Sequence, residues 1–205
     1  TNPAFHEKTT GPEIVKDFEG RRLDYWVTGY GTGGTFQGAG KVIKAARPEC
    51  KIILSEPKAA PLVSSGEKQA RKDFMGIKGV PAEGHPAWTP HPIQGWTPNF
   101  IPKVCEDGLK LNLKDEVLLV DGKDAMDMAI KLAQREGIFC GVSGGATVWT
   151  AIEVCKTAPA GANILAMIPD TGDRYLSTPL FDKISGDTMT PEEQRLFDTT
   201  PLGRQ

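Results

Sequence analysis

The apolar positions change their period several times along the chain, and each change marks an element. Leu23-Asp24-Tyr25-Trp26-Val27-Thr28 is dense in β-branched and aromatic residues and runs into glycine, which predicts a strand. Lys51-Ile52-Ile53-Leu54-Ser55 predicts a second strand, with the near-continuous apolar run that a strand covered on both faces requires. Between them lie Gly29-Tyr30-Gly31-Thr32-Gly33-Gly34-Thr35 and a helical stretch from about Gly34 to Ala46 that stops before Pro48. Strand, glycine turn, helix and strand in this order form a βαβ unit. Ahead of it, Thr10-Gly11-Pro12-Glu13 has the spacing of a capping box and predicts a short helix from Gly11 to about Glu19.

Further on, Glu116 to Val120 predicts a strand, and Asp124 to Glu136 a helix with Met126, Ala129, Ile130 and Ala133 at helical spacing and Gly137 as its stop. Ile138 to Val142 is a short apolar segment, and Ser143-Gly144-Gly145 opens another helix running to about Lys156. Asn163 to Ile168 predicts a buried strand that ends at Pro169-Asp170-Thr171-Gly172-Asp173. A second capping-box spacing, Thr190-Pro191-Glu192-Glu193, predicts a short helix in the tail at about 185–205. Strands alternating with helices imply an α/β fold: a mostly parallel sheet with helices on both faces, its ligands at the carboxyl ends of the strands. The whole chain, 1–205, reads as one such domain.

Residues 57–103 break the alternation. They hold eight of the sixteen prolines and show no helical period beyond one turn near 66–73. A long Pro-rich stretch of this kind is a covering loop or a disordered insert; Trp88, Trp96 and Phe100 favour order in its second half. Lys68, Arg71, Lys72 and Lys78 read as a solvated basic surface, and His85 and His91 as exposed.

Charge and cysteine content narrow the function classes. With 24 Lys and Arg against 26 Asp and Glu the net charge is −2, which argues against a duplex-binding, nucleic-acid protein. No apolar run approaches the ~20 residues of a membrane helix. Cys50, Cys105, Cys140 and Cys155 fit no zinc spacing and read as reduced thiols of a cytoplasmic protein. His6, with no Ser, Cys or metal-ligand partner at a recognisable spacing, reads as a packing or hydrogen-bonding residue.

Three glycine-rich segments carry the candidate chemistry. Gly29, Gly31 and Gly34 match G-x-G-x-x-G after a strand and before a helix, with Glu56 placed where a ribose-binding acid belongs; this is the dinucleotide reading. Grouped instead as Gly31-Thr32-Gly33-Gly34-Thr35, the same turn adds two hydroxyls to the N–H groups of a helix N-terminus, a cup suited to a terminal phosphate. Gly141-Val142-Ser143-Gly144-Gly145-Ala146, where Ser143 alone reads as an N-cap, and Pro169-Asp170-Thr171-Gly172-Asp173-Arg174-Tyr175 are the other two. All three are expected to open on one edge of the sheet.

Taken in order, these residues resemble cysteine synthase, or O-acetylserine sulfhydrylase, of the fold-type II pyridoxal-phosphate enzyme family. The resemblance rests on Asn2-Pro3 with His6 and Thr9-Thr10-Gly11-Pro12-Glu13-Ile14, on Gly31 to Thr35, on Ile93-Gln94-Gly95 with Phe100-Ile101-Pro102, on Gly141 to Ala146, and on Pro169 to Thr178. It implies that the cofactor is pyridoxal 5′-phosphate, with Gly31, Thr32, Gly33, Gly34 and Thr35 around its phosphate. Ser143 would meet the ring nitrogen, a neutral hydroxyl that leaves the ring a weaker electron sink. Pro169 and Asp170 would lie near the ring edge, and Gln94 and Gly95 at the substrate. The implied reaction replaces the acetate of O-acetylserine by sulfide to give cysteine. A homodimer and a serine acetyltransferase partner are implied in the same way.

Two departures stand out: the family has two serines where this chain has Ser143-Gly144, and the segment from Ser64 to His91 is long. The family's Schiff-base lysine motif, of the S-x-K-D-R type, and its substrate carboxylate loop are absent, so the chain resembles the C-terminal portion of the enzyme. No catalytic lysine is assigned, and a separate chain is expected to supply the N-terminal portion. Three other readings stand beside this one: a cystathionine β-synthase-like enzyme that uses serine, an NAD-dependent oxidoreductase, and a truncated subunit that turns nothing over.

Overall fold

The computed structural model describes residues 2–181 and residue 195. A four-stranded parallel sheet forms its centre, built from β1 (Tyr25–Thr28), β2 (Lys51–Pro57), β5 (Glu116–Val120) and β6 (Ile164–Ala166) in the order β5-β2-β1-β6. Two more strands, β3 (Arg71–Phe74) and β4 (Ile77–Pro81), pair separately as an antiparallel hairpin. Seven residues before the sheet form α1 (Asn2–Lys8), followed by α2 (Thr10–Asp17); α3 (Gly34–Ala46) links β1 to β2. The remaining helices are α4 (Lys103–Lys110), α5 (Gly122–Glu136) and α6 (Val142–Cys155).

Successive residues of a strand point to opposite faces, and this alternation puts helices on both sides. Trp26, Ile52 and Leu54 pack with Ile14 of α2 and with Phe36 and Ile43 of α3. The intervening Val27 and Ile53 pack with Ala151 and Val154 of α6 on the other side. Trp26 and Phe36 are fully buried, and burying side chains of this size contributes about 2–3 kcal/mol each. Gly145 lets α6 approach α5, since a Cβ there would overlap the Ala125 carbonyl oxygen. The expected fold class is the observed one.

Several local expectations are corrected. The T-x-x-E spacing at Thr10 forms no capping box. The N-cap of α2 is Thr9 without a side-chain cap bond, and the Thr10 hydroxyl pairs with His6 instead. Ser143 is not an N-cap: Gly141 holds that position, and Ser143 lies inside the first turn of α6. The strand expected at 163–168 is shorter and only half-buried, because β6 pairs with β1 alone and forms the sheet edge. Where one helical turn was expected near 66–73, the chain forms β3, and its hairpin closes through Met75 and Gly76, both with positive φ (48° and 79°). That is the twist two-residue hairpins favour. The tail and its Thr190–Glu193 spacing lie outside the described residues.

The basic, solvated reading of this segment holds for Lys68, Lys72 and Lys78 but not for Arg71. Its guanidinium donates to the carbonyls of Gly79 and Ile101 and pairs with Glu106 at 2.8 Å, fastening the hairpin to α4. His85 is buried between the Glu67 carbonyl and the Ala87 amide, and His91 is half-buried against the Thr97 carbonyl, so neither is exposed.

Glu56, the supposed ribose ligand, is fully buried at the end of β2. One carboxyl oxygen accepts from the Tyr30 hydroxyl and the Val63 amide; the other accepts from the amide and hydroxyl of Ser64. Both oxygens are committed to the fold, which removes the acid from the dinucleotide reading. Because each oxygen faces donors only, no orientation of an amide satisfies the site. Glu56→Gln is expected to lower unfolding free energy by about 2–3 kcal/mol, the cost of facing buried donors with a donor; urea denaturation against wild type measures it.

Candidate active site

A cavity of about 490 Å³ opens at the carboxyl edge of the sheet, within the ~300–1,000 Å³ range of small-molecule sites. Its walls come from five places. The end of β1 and the turn after it give Thr28, Gly29, Gly31 and Thr32, and the first turn of α3 gives Thr35. The Pro-rich segment contributes Gln94, Gly95 and Trp96. The first turns of α6 add Ser143 and Thr147, and the chain after β6 adds Met167 to Asp170. His6 of α1 completes the wall.

The structure therefore brings together eight of the residues singled out in the sequence: Gly31, Thr32, Thr35, Gln94, Gly95, Ser143, Pro169 and Asp170. Gly33 and Gly34 do not line the cavity; they shape the turn behind Thr32 and Thr35. Gly33 is the N-cap of α3 at φ +90°, and a Cβ there would come within 2.7 Å of Cys105. Gly34 begins the helix, where a Cβ would overlap the Asn2 amide. At Gly31 a Cβ would overlap the Gly95 carbonyl oxygen, so at this point the turn after β1 and the 94–96 loop meet backbone to backbone.

The electrostatics follow from the helix ends. The first N–H groups of any α-helix lack intrahelical acceptors, and Gly33 has no side chain to satisfy those of α3. With Thr32 and Thr35 on the same wall, this end of the cavity is rich in donors and carries the positive end of the helix dipole. At the α6 end, Ser143 is buried and its hydroxyl lies 3.5 Å from one oxygen of Asp170. The other oxygen of Asp170 takes the Tyr175 hydroxyl at 2.6 Å. Burial first, then the hydrogen bond and charge of Asp170, push the Tyr175 hydroxyl up to about 12. The family's second serine has little room here: a Cβ on Gly144 would lie 3.0 Å from the Cys140 sulfur and 3.1 Å from Ile168.

His6, Trp96, Thr28 and Thr147 line the cavity without having been marked as site residues by the sequence pattern. His6 had a signal, its place in the family-like Asn2-to-Ile14 stretch. Trp96 had none; it is seated by Gly29, where a Cβ would overlap the indole. Among the described residues no lysine lines the cavity.

The chain belongs to the family described as "Pyridoxal-phosphate dependent enzyme", whose model matches residues 1–170. It is 43% identical over 183 residues to O-ureido-L-serine synthase of Streptomyces lavendulae, a match covering 89% of this chain and 49% of that protein. It is 37% identical over 180 residues to cysteine synthase of Staphylococcus aureus, covering 88% of this chain and 50% of that one. The solved structure of an O-ureido-L-serine synthase superposes with a TM-score of 0.77 at 40% identity, over 95% of this chain and 54% of the other. Cysteine synthase from Entamoeba histolytica gives 0.70 at 30%, over 100% and 51%. The chain thus spans about half the length of the curated relatives it matches.

The donor-rich α3 end and the buried Ser143 at the α6 end fit a planar coenzyme with a terminal phosphate. Two outcomes are expected. Gly31→Ala should weaken pyridoxal phosphate binding at least roughly tenfold by forcing Gly95 away, measured by absorbance titration. The raised Tyr175 hydroxyl stabilises the fold fully below pH ~10, the usual tyrosine value, and this contribution is lost as pH rises towards 12. Tyr175→Phe should therefore flatten the alkaline limb of a stability–pH profile.

Proposed function

We propose that this chain forms the coenzyme-binding part of an enzyme that replaces the β-substituent of an O-activated serine, with O-acetylserine and sulfide as substrates and cysteine as product. The observation that carries this reading is that the Gly31–Thr35 turn and Ser143 face the same cavity from two helix N-termini. When bound, pyridoxal phosphate supplies the electron sink that allows a group to leave from the β-carbon of an amino acid.

This chain's own residues hold and orient. Amides of the first turn of α3, with the Thr32 and Thr35 hydroxyls, take the phosphate. The Ser143 hydroxyl takes the ring nitrogen without the fixed negative charge a carboxylate would bring. Asp170, held by Tyr175, borders the ring edge, and Gln94 and Gly95 border the substrate. Trp96 excludes water from the side of the cavity that Gly29 leaves open. The amine that joins coenzyme to protein we assign to a lysine outside the described residues, since none of the described lysines reaches the cavity. We extend the reading to a homodimer in the cytoplasm, with serine acetyltransferase as a docking partner.

A second reading shares the first half of the reaction and differs in the nucleophile. The 43% identity to O-ureido-L-serine synthase favours it: a ureido group on the serine oxygen calls for the hydroxyl of a hydroxyurea-type acceptor in place of sulfide. The two are separated by supplying the purified protein, with any polypeptide that accompanies it, with O-acetylserine and either sulfide or hydroxyurea. Mass spectrometry of the products is expected to show cysteine as the main product; O-ureidoserine alone would support the second reading. Borohydride trapping followed by peptide mapping should leave the lysines of residues 2–181 unlabelled, and a label on any of them would contradict that assignment.

A further inference from the structure

The two hydroxyls of the cup are each held from behind by one short helix. Asn2 and His6 are four residues apart on α1, hence on one face. Asn2 Nδ2 donates to Thr32 Oγ1 at 2.9 Å. His6 Nε2 lies 3.2 Å from Thr35 Oγ1, and its Nδ1 lies 2.9 Å from Thr10 Oγ1. The surface of α3 that receives this face is made of glycines at the same spacing. A Cβ on Gly34 would overlap the Asn2 amide, and a Cβ on Gly38 would overlap the Pro3 carbonyl oxygen and come within 2.8 Å of His6 Cβ. No residue of α1 is buried, so the helix is not seated by an apolar core.

We infer that Asn2 and His6 are positioning residues for the anion cup: each lends an N–H to the oxygen of one cup hydroxyl, leaving that hydroxyl's proton for an oxyanion in the cavity. The inference rests on the reading of Gly31–Thr35 as the phosphate site. A hydroxyl has one proton and two lone pairs. If a neighbour accepts its proton, it meets the anion with lone pairs and repels it; if a neighbour donates to it, the proton is free to point at the anion. For His6 this selects one neutral tautomer: Nε2–H donates to Thr35, and Nδ1 accepts from the Thr10 hydroxyl. Burial lowers the His6 pKa from its usual value, in keeping with a neutral ring. The glycines at 34 and 38 set the α1–α3 separation that makes both bonds possible.

The test compares pyridoxal phosphate with pyridoxal, which lacks the phosphate, as ligands of the purified protein. Wild type should prefer the phosphorylated compound. Asn2→Ala and His6→Ala should each weaken pyridoxal phosphate by roughly tenfold, the effect of one hydrogen bond to a charged group, and leave pyridoxal unchanged. His6→Gln, which keeps an N–H donor, should recover most of the loss. Nitrogen-15 NMR of the wild type should find Nε2 protonated and Nδ1 bare. Variants that keep the full preference, or a wild-type His6 with the opposite tautomer, would overturn the positioning role while leaving the cup intact. Equal binding of both compounds by the wild type would overturn the cup itself, and the inference with it.

Discussion

The uncapped first turn of α3 is the constraint on which the rest depends. A helix N-terminus with glycine at its cap leaves N–H groups in need of acceptors, and this one points into a cavity at the carboxyl edge of a parallel sheet. The residues around it are chosen to keep that end open. Gly31 allows the 94–96 loop to close in through its backbone, Gly33 supplies a left-handed turn, and Gly34 receives α1. A side chain at the cap position itself would run into Cys105.

The opposite wall is built to different rules. The first turn of α6 is also uncapped by side chains, yet its hydroxyl, Ser143, is buried and tied towards Asp170, which Tyr175 holds in turn. One end of the cavity thus offers the Thr32 and Thr35 hydroxyls beside a helix N-terminus, and the other the Ser143 hydroxyl beside the carboxyl of Asp170. On the proposed reading this asymmetry would give a bound coenzyme one orientation. It also distinguishes the cavity from a dinucleotide site, whose expected acid, Glu56, is spent on Tyr30, Val63 and Ser64.

Much of this was legible in the sequence because it is local. The βαβ unit around Gly31, the strand at 116–120 and the helix stopped by Gly137 follow from period and punctuation, and α3 has the bounds its pattern predicts. The glycine cup and Ser143 were legible as motifs. What escaped depends on distant contacts. The β3–β4 hairpin is mostly exposed and has no apolar period, and its turn places a methionine at positive φ, which no turn rule favours. Helix α1 has no buried residue and is seated by glycines thirty or so positions away. Arg71, His85 and His91 read as surface residues, but they are drawn inward by the carbonyls of a Pro-rich segment that needs donors to fold.

The most direct test of the central claim is amide NMR of the protein as pyridoxal phosphate is added, with the phosphorus resonance followed in parallel. The account predicts that the amide signals of Gly33, Gly34 and Thr35 move most, with through-bond coupling from phosphorus to at least one of them. Unmoved amides at α3, with the phosphorus coupled instead to the α6 end beside Ser143, would contradict it.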